Sequence, residues 1–382
     1  MTDRAAAGRL ALYFLKLGAT GFGGPIALAG SMQRTLVDER RWISRDEYVE
    51  GLALAQLAPG PLAAQLAMYL GYVRGGVAGA TLAGVAFILP SFLMVWALAA
   101  GYVRYGGLPW MQALFYGIGA AVVGIIARSV WKLARLTLSS DRLLWAIAAA
   151  LAIATAVTER ESVWLFLLGG CTPLGVHLTK DRGSQPGASS PSFASAFSVL
   201  SLAATASSHA PASLLSIAAF FTRAGLFVFG SGLAVVPFLY GGVVQERHWL
   251  TDRQFLDAVA VAMITPGPVV ITVAFIGYLV RGTAGMIVAA LGIFLPVYFV
   301  VVVAAPWFRR YHTLPAVKAF VSGVTAAATG AIAGAAVVLG RRALVDAPTI
   351  AIAAGTFVAL WRWRISELWL IAAAGGLGLW LR

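Results

Sequence analysis

Across its 382 residues the chain is 60% hydrophobic and 11% charged, with a mean hydropathy of +0.85; a soluble domain is about a quarter charged, so a soluble globular protein is excluded. The net charge of +13 would suggest nucleic acid on a soluble chain. Here Lys and Arg sit mostly in short loops between apolar runs, with no basic stripe carrying interleaved aromatics, so they read as anchors against an anionic cytoplasmic leaflet and nucleic-acid binding is excluded.

In chain order, the start "MTDRAAAGRLALYFLKLG" lacks the pattern of a cleaved signal peptide and reads as a short tail entering a first membrane segment. Six apolar segments follow, near 10–33, 47–73, 77–101, 110–131, 143–157 and 162–178. Many approach the roughly 20 residues that span a bilayer. The stretch 179–211 opens rich in Ser, Gly and Pro, as a flexible linker does. Six more segments lie near 212–241, 254–280, 283–305, 314–340, 347–360 and 366–381. The last two of each set are short and joined by tight charged turns, "TERES" and "WRWRIS", as in a helical hairpin. The predicted organisation is an N-terminal transmembrane repeat (1–178), a linker (179–211) and a C-terminal transmembrane repeat (212–382).

The two sets are copies of one unit. From Phe14 to Pro61 the chain aligns with Phe221 to Pro268 at an offset of 207, with 14 of 48 positions identical. From Gly71 the offset is 206, and 8 of the 20 positions to Pro90 are identical. Greasy composition would not easily match Glu39/Glu246, Arg40/Arg247, Trp42/Trp249, Pro59/Pro266 and Pro90/Pro296 in register.

Each copy interrupts its second segment with Pro-Gly-Pro: Pro59, Gly60, Pro61 and Pro266, Gly267, Pro268. Proline removes a backbone donor and glycine loosens a helix, so the triplet is costly inside an apolar run. Ser44 with Glu47, and Thr251 with Gln254, fit capping boxes that start a helix. From Ser44 to Pro59 is about 22 Å of helix, which puts the triplet at membrane depth. One reading is a proline kink in a packed span. The other is a discontinuous or re-entrant helix that exposes amides to a substrate, as transporters do at matching positions in their halves. If the second segment returns to its own side, the copies are inverted and positive charge falls more heavily inside. The predicted fold is therefore an all-α polytopic membrane protein of two homologous, inverted repeats. Each has about five crossing helices plus a broken or re-entrant helix at its Pro-Gly-Pro motif.

Lys16 and Arg223 are equivalent, within the first segments, and are followed by Gly23, Gly24, Pro25 and by Gly230, Ser231, Gly232, which should break the helix. A cation at membrane depth is either a functional group or one that snorkels to the interface. Beside broken helices it would complete an anion site, because half-helix N-termini carry unpaired N–H groups and glycines admit close approach. Glu39-Arg40 and Glu246-Arg247 read as interfacial ion pairs beside Trp anchors, or as a gate. Glu50 and Asp257, about two turns into the second segments, would carry a coupling proton or pair with a repeat cation. Arg104 and Arg310 read as solvated loop charge. The lone Cys171 rules out an intrachain disulfide, and four scattered His give no metal spacing, so no cofactor and no metal are expected. No nucleophile motif or paired catalytic acids support an enzyme.

"FGGP", "ERRW", "PGP" and "GYVRGGVAG" in the first copy, with "FGSG", "ERHW", "PGP" and "GYLVRGTAG" in the second, resemble the chromate ion transporter (CHR) family, in its long-chain two-repeat form. The likeness covers nearly the whole chain. It implies export of chromate across a bacterial inner membrane, chromate resistance, and halves of opposite orientation. Some relatives are thought to handle sulfate. "GGP" becomes "GSG" in the second copy, so the halves need not contribute equally. The expected partners are a small inorganic oxyanion and the lipid bilayer, with a homodimer compatible. A sulfate transporter and an anion channel are the alternatives.

Overall fold

The computed structural model describes residues 4–22, 24–105, 108–138, 141–158, 168–175, 212–227, 235–311, 315–363, 365 and 367–382, and within them every regular element is helical. The first repeat comprises α1 (Arg4–Thr20), α2 (Gly24–Met32, running on as a π-helix through Glu39), α3 (Arg45–Leu57), α4 (Leu62–Tyr105), α5 (Pro109–Thr137), α6 (Arg142–Thr158) and α7 (168–175). The second comprises α8 (Leu214–Phe227), α9 (Val235–Tyr240, then a π-helix to Glu246), α10 (Asp252–Ile264), α11 (Thr272–Tyr311, after a 3₁₀ turn at Val269–Ile271), α12 (Pro315–Ala343), α13 (Ala347–Arg362) and α14 (Glu367–Leu381). Among the described residues α4, α5, α11 and α12 are long and apolar enough to cross a bilayer. The chain is a multi-pass membrane protein.

The capping boxes start α3 and α10 as the sequence predicts. Ser44 Oγ accepts from the Glu47 amide and Glu47 answers at the Ser44 amide; Thr251 and Gln254 do the same. Each helix then stops at its Pro-Gly-Pro triplet and the chain folds back. In the first repeat Gly51 packs on Tyr69 and Leu66, while Arg74 reaches Glu47 at 3.5 Å. Residues on either side of the triplet thus meet in antiparallel order, so the second segment is a re-entrant hairpin rather than a kinked span. A second reversal lies inside α4. Gly75 (φ −141°) and Gly76 (φ +59°) break the helix, and Gly71 packs on the Gly79 carbonyl. In α11, Arg281 (φ −148°) and Gly282 (φ +61°) repeat the break, and Gly277 packs on Gly285.

The first segment also reverses. Arg9, early in α1, lies 5.8 Å from the Trp42 ring beyond α2. In the second repeat Phe220 of α8 stacks on Phe238 of α9 at 5.4 Å and meets Trp249 at 5.8 Å. The sequence marks the reason at Gly24, whose φ of +75° suits glycine. One apolar stretch that reads as a span is two limbs, which leaves α4 as the first helix, among the described residues, long and apolar enough to cross.

The long second limbs of α4 and α11 lie side by side and antiparallel: Thr81 Oγ1 meets Tyr298 Oη at 2.8 Å, and Trp96 Nε1 donates to Thr283 Oγ1 at 3.3 Å. The final helices are exchanged between repeats. α6 packs on α12, and α13 and α14 pack on α5. Glycines make these contacts close in equivalent pairs: Gly124 against Ala353 and Gly330 against Ala148, Gly117 against Ala374 and Gly323 against Gly169. With no hydrophobic drive between helices in lipid, such backbone-to-backbone approach is what holds them.

Candidate functional site

The two hairpin tips meet where the repeats face each other. The Gly267 amide donates to the Gly21 carbonyl at 2.8 Å, at the end of α1. Ser91 Oγ, from the long limb of α4, donates to the Pro266 carbonyl at 2.7 Å. The opposite tip makes the equivalent approach, with Gly60 lying against Val297, the counterpart of Ser91. Valine cannot donate. The Pro59 carbonyl is instead satisfied from its own repeat, by Gln65 Nε2 at 2.7 Å. Gln65 is fully buried, and its Oε1 meets no protein donor among the described residues.

Between the tips lies a cavity of about 210 Å³, counting the part open to solvent. Its enclosed centre is about the size of one water molecule. Pro25 and Leu28 come from the first turns of α2, Pro61 and Ala63 from the start of α4, and Gly267 to Val270 from the turn leading into α11. The starts of α2 and α4 and the 3₁₀ turn that leads into α11 therefore converge on one space, each with a proline at or beside its first position. The leading amides of a helix have no intrahelical acceptor and sit at the positive end of its dipole. Two of the three walls are buried, Pro61 through Leu70 without exception and Thr265 to Pro268, while Pro25 on α2 is half-buried. Irregular backbone at this depth is tolerable only in such a setting.

The predicted site residues fall in different places. Pro25, Pro61, Gly267 and Pro268 line the cavity, and Gly24, Pro59, Gly60 and Pro266 adjoin it in the same turns. Gly23, Gly230 and Gly232 lie outside the described residues. Lys16 is exposed on α1 and Arg223 is half-buried on α8; neither is in the cavity wall. The Arg40 guanidinium lies 4.6 Å over Trp42, beside Glu39 at the end of the π-helix. Arg247 pairs with Glu246 at 3.1 Å, donates to the Gly242 carbonyl and covers Phe220 at 4.5 Å. Glu50 is half-buried on α3. Asp257 is 4% exposed and accepts from Tyr102 Oη at 2.7 Å, a contact between repeats.

Ser91, Gln65 and Tyr102 escaped the sequence reading. Each is a polar residue within an apolar run, and Ser91 directly follows the duplicated Pro90/Pro296, which is the signal that would have found it.

Comparison with known proteins matches the chain to the family described as Chromate transporter, over residues 8–174 and 215–379, one segment per repeat. It is 56% identical over 373 residues to a chromate transport protein of Cupriavidus metallidurans, covering 97% of this chain and 92% of that one. It is 54% identical to a probable chromate transport protein of Synechococcus elongatus (97% and 95% covered). A chromate transport protein of Pseudomonas aeruginosa is 32% identical (96% and 90% covered). No solved structure matches the chain.

Proposed function

The chain belongs to the chromate transporter family, and from that premise we propose that it is a secondary transporter exporting chromate across a bacterial inner membrane, so conferring chromate resistance. The observation that carries the reading is the convergence of the starts of α2 and α4 and of the 3₁₀ turn before α11 on one cavity between the repeats. A dianion there is held by main-chain N–H groups and dipoles, with glycines admitting close approach. The repeats, 1–178 and 212–382 around the linker 179–211, sit in opposite orientations; the antiparallel run of α4 against α11 supports this. An inside-negative potential favours outward movement of a dianion by about 2.3 kcal/mol per charge per 100 mV. Export then needs no ATP, in keeping with the lack of an ATP-binding motif.

The cavity is too small for a tetrahedral oxyanion as it stands. Loading requires the tips to part, which is the motion alternating access supplies. Lys16 and Arg223, outside the wall in this closed arrangement, would act on the anion at the mouths as it enters or leaves. The test is radiolabelled chromate uptake into inverted vesicles with sulfate as competitor. Ala63→Leu, which fills the cavity wall, is expected to cut uptake at least tenfold with protein level unchanged; full activity would overturn the site. Unaltered uptake in both Lys16→Ala and Arg223→Ala would remove the two cations from it. Saturable exchange of internal for external anion supports a transporter, and flux without exchange an anion channel.

A further inference from the structure

The contact between Asp257 and Tyr102 lies away from the cavity yet joins the same moving parts. Asp257 is on the first limb of the second hairpin, about 10 Å of helix short of its tip. Tyr102 is on the long limb of α4, in the other repeat. The phenol donates to Oδ2 at 2.7 Å, and the ring is held edge-on by Phe115 of α5 at 5.5 Å and Phe275 of α11 at 5.3 Å. Arg253 stands one turn before Asp257, and its guanidinium is turned to the Gln112 carbonyl of α5 at 3.4 Å. Among the described residues Tyr102 and Arg253 are the titratable groups acting on Asp257, and none from α5, α11, α12 or α14 does.

Resting on the reading that the cavity binds an oxyanion, we propose that the Asp257–Tyr102 pair is a proton site linked to it. The carboxylate takes one proton from solvent when a dianion occupies the cavity and returns it when the dianion leaves. The reason is like-charge repulsion in a buried setting. A carboxylate roughly 10–15 Å from a dianion, at an effective dielectric near 20, weakens anion binding by roughly tens- to hundreds-fold. A proton on Oδ removes that repulsion, and by linkage bound anion must raise proton affinity by the same factor. The pairing is not duplicated in kind between the repeats. The counterpart of Tyr102 is Phe308, which has no hydroxyl, and the counterpart of Asp257 is the half-buried Glu50.

The full chain in detergent is titrated with chromate by calorimetry in two buffers of different ionisation heat, which counts protons taken up per anion bound. Chromate's own protonation contributes equally to every variant, so differences isolate the protein. Wild type should take up more protons per chromate near neutrality than Asp257→Asn, the difference approaching one at its maximum. Tyr102→Phe, which loses the donor to the ionised carboxylate, should move that maximum to higher pH. Equal uptake by wild type and Asp257→Asn with chromate bound overturns the inference. If Asp257→Asn does not fold, an unmoved maximum in Tyr102→Phe overturns it instead. A wild type that binds no chromate overturns the transport reading, and the linkage that rests on it falls with it, whereas binding without a difference in proton uptake overturns the linkage alone.

Discussion

The carbonyl oxygens of Pro59 and Pro266 occupy equivalent places and face the same difficulty: each ends a helix in a buried site where no following amide can reach it. The first is answered by Gln65 from its own repeat, the second by Ser91 from the other. Their counterparts at the opposite tip, Thr272 and Val297, do different work, Thr272 turning its hydroxyl to the Val269 carbonyl. One tip is thus closed on itself and the other tied across the interface. Ser91→Ala should leave the Pro266 carbonyl buried without a donor and cost about 1–3 kcal/mol, read as a lowered thermal unfolding midpoint of the full chain in detergent. An unchanged midpoint would mean the carbonyl is satisfied elsewhere. The triplets and capping boxes were legible because they obey local rules of helix ends. The partners of the freed carbonyls were not, because a serine and a glutamine in apolar runs say nothing of what stands opposite them until the repeats are docked.

At the scale of elements the glycines separate into two kinds. Gly76 and Gly282 sit at φ +59° and +61° with open space where a Cβ would be, so they serve backbone conformation alone. Gly71 and Gly277 have ordinary helical backbone but lie against the carbonyls of Gly79 and Gly285. Alanine at Gly76 should therefore cost only its conformational strain, about 1–2 kcal/mol. At Gly71 it must push two limbs apart, and the folded yield should collapse. The pair is checked by size-exclusion recovery and thermal unfolding of both variants; comparable loss in the two would show that the close approach of the limbs contributes little. Apolar runs and turn residues made the hairpin at each Pro-Gly-Pro readable. They marked a break at Gly23-Gly24-Pro25 but not that the first segment folds back there, nor the π-helical stretches or the exchange of terminal helices. Those depend on which face of each helix finds which neighbour, and an all-round apolar helix carries no periodic stripe to say so.

For the molecule as a whole, the internal duplication survives to the level of single dihedrals. Arg41 and His248, 207 apart, hold φ of +51° and +52°, and Gly18 and Gly225 press on the carbonyls of Phe87 and Ile293, themselves 206 apart. That much could be foreseen from aligning the chain with itself. The inverted orientation expected from the sequence rests only on charge bias between loops, a weak vote when segment ends are uncertain. The antiparallel contact of α4 with α11 makes the consequence specific. α3 begins at one end of the long α4 limb; Asp257, just inside α10, meets Tyr102 near the other. In a bilayer the two hairpin bases should then face opposite compartments. Cysteine placed at Asp46 or at Arg253, both exposed at equivalent positions, in a Cys171→Ser background, reports this through a membrane-impermeant maleimide. One variant should label only in right-side-out vesicles and the other only in inverted ones. Labelling of both from the same side would leave the cavity between two halves facing the same way, and with it would go the structural basis for alternating access by exchange of equivalent conformations.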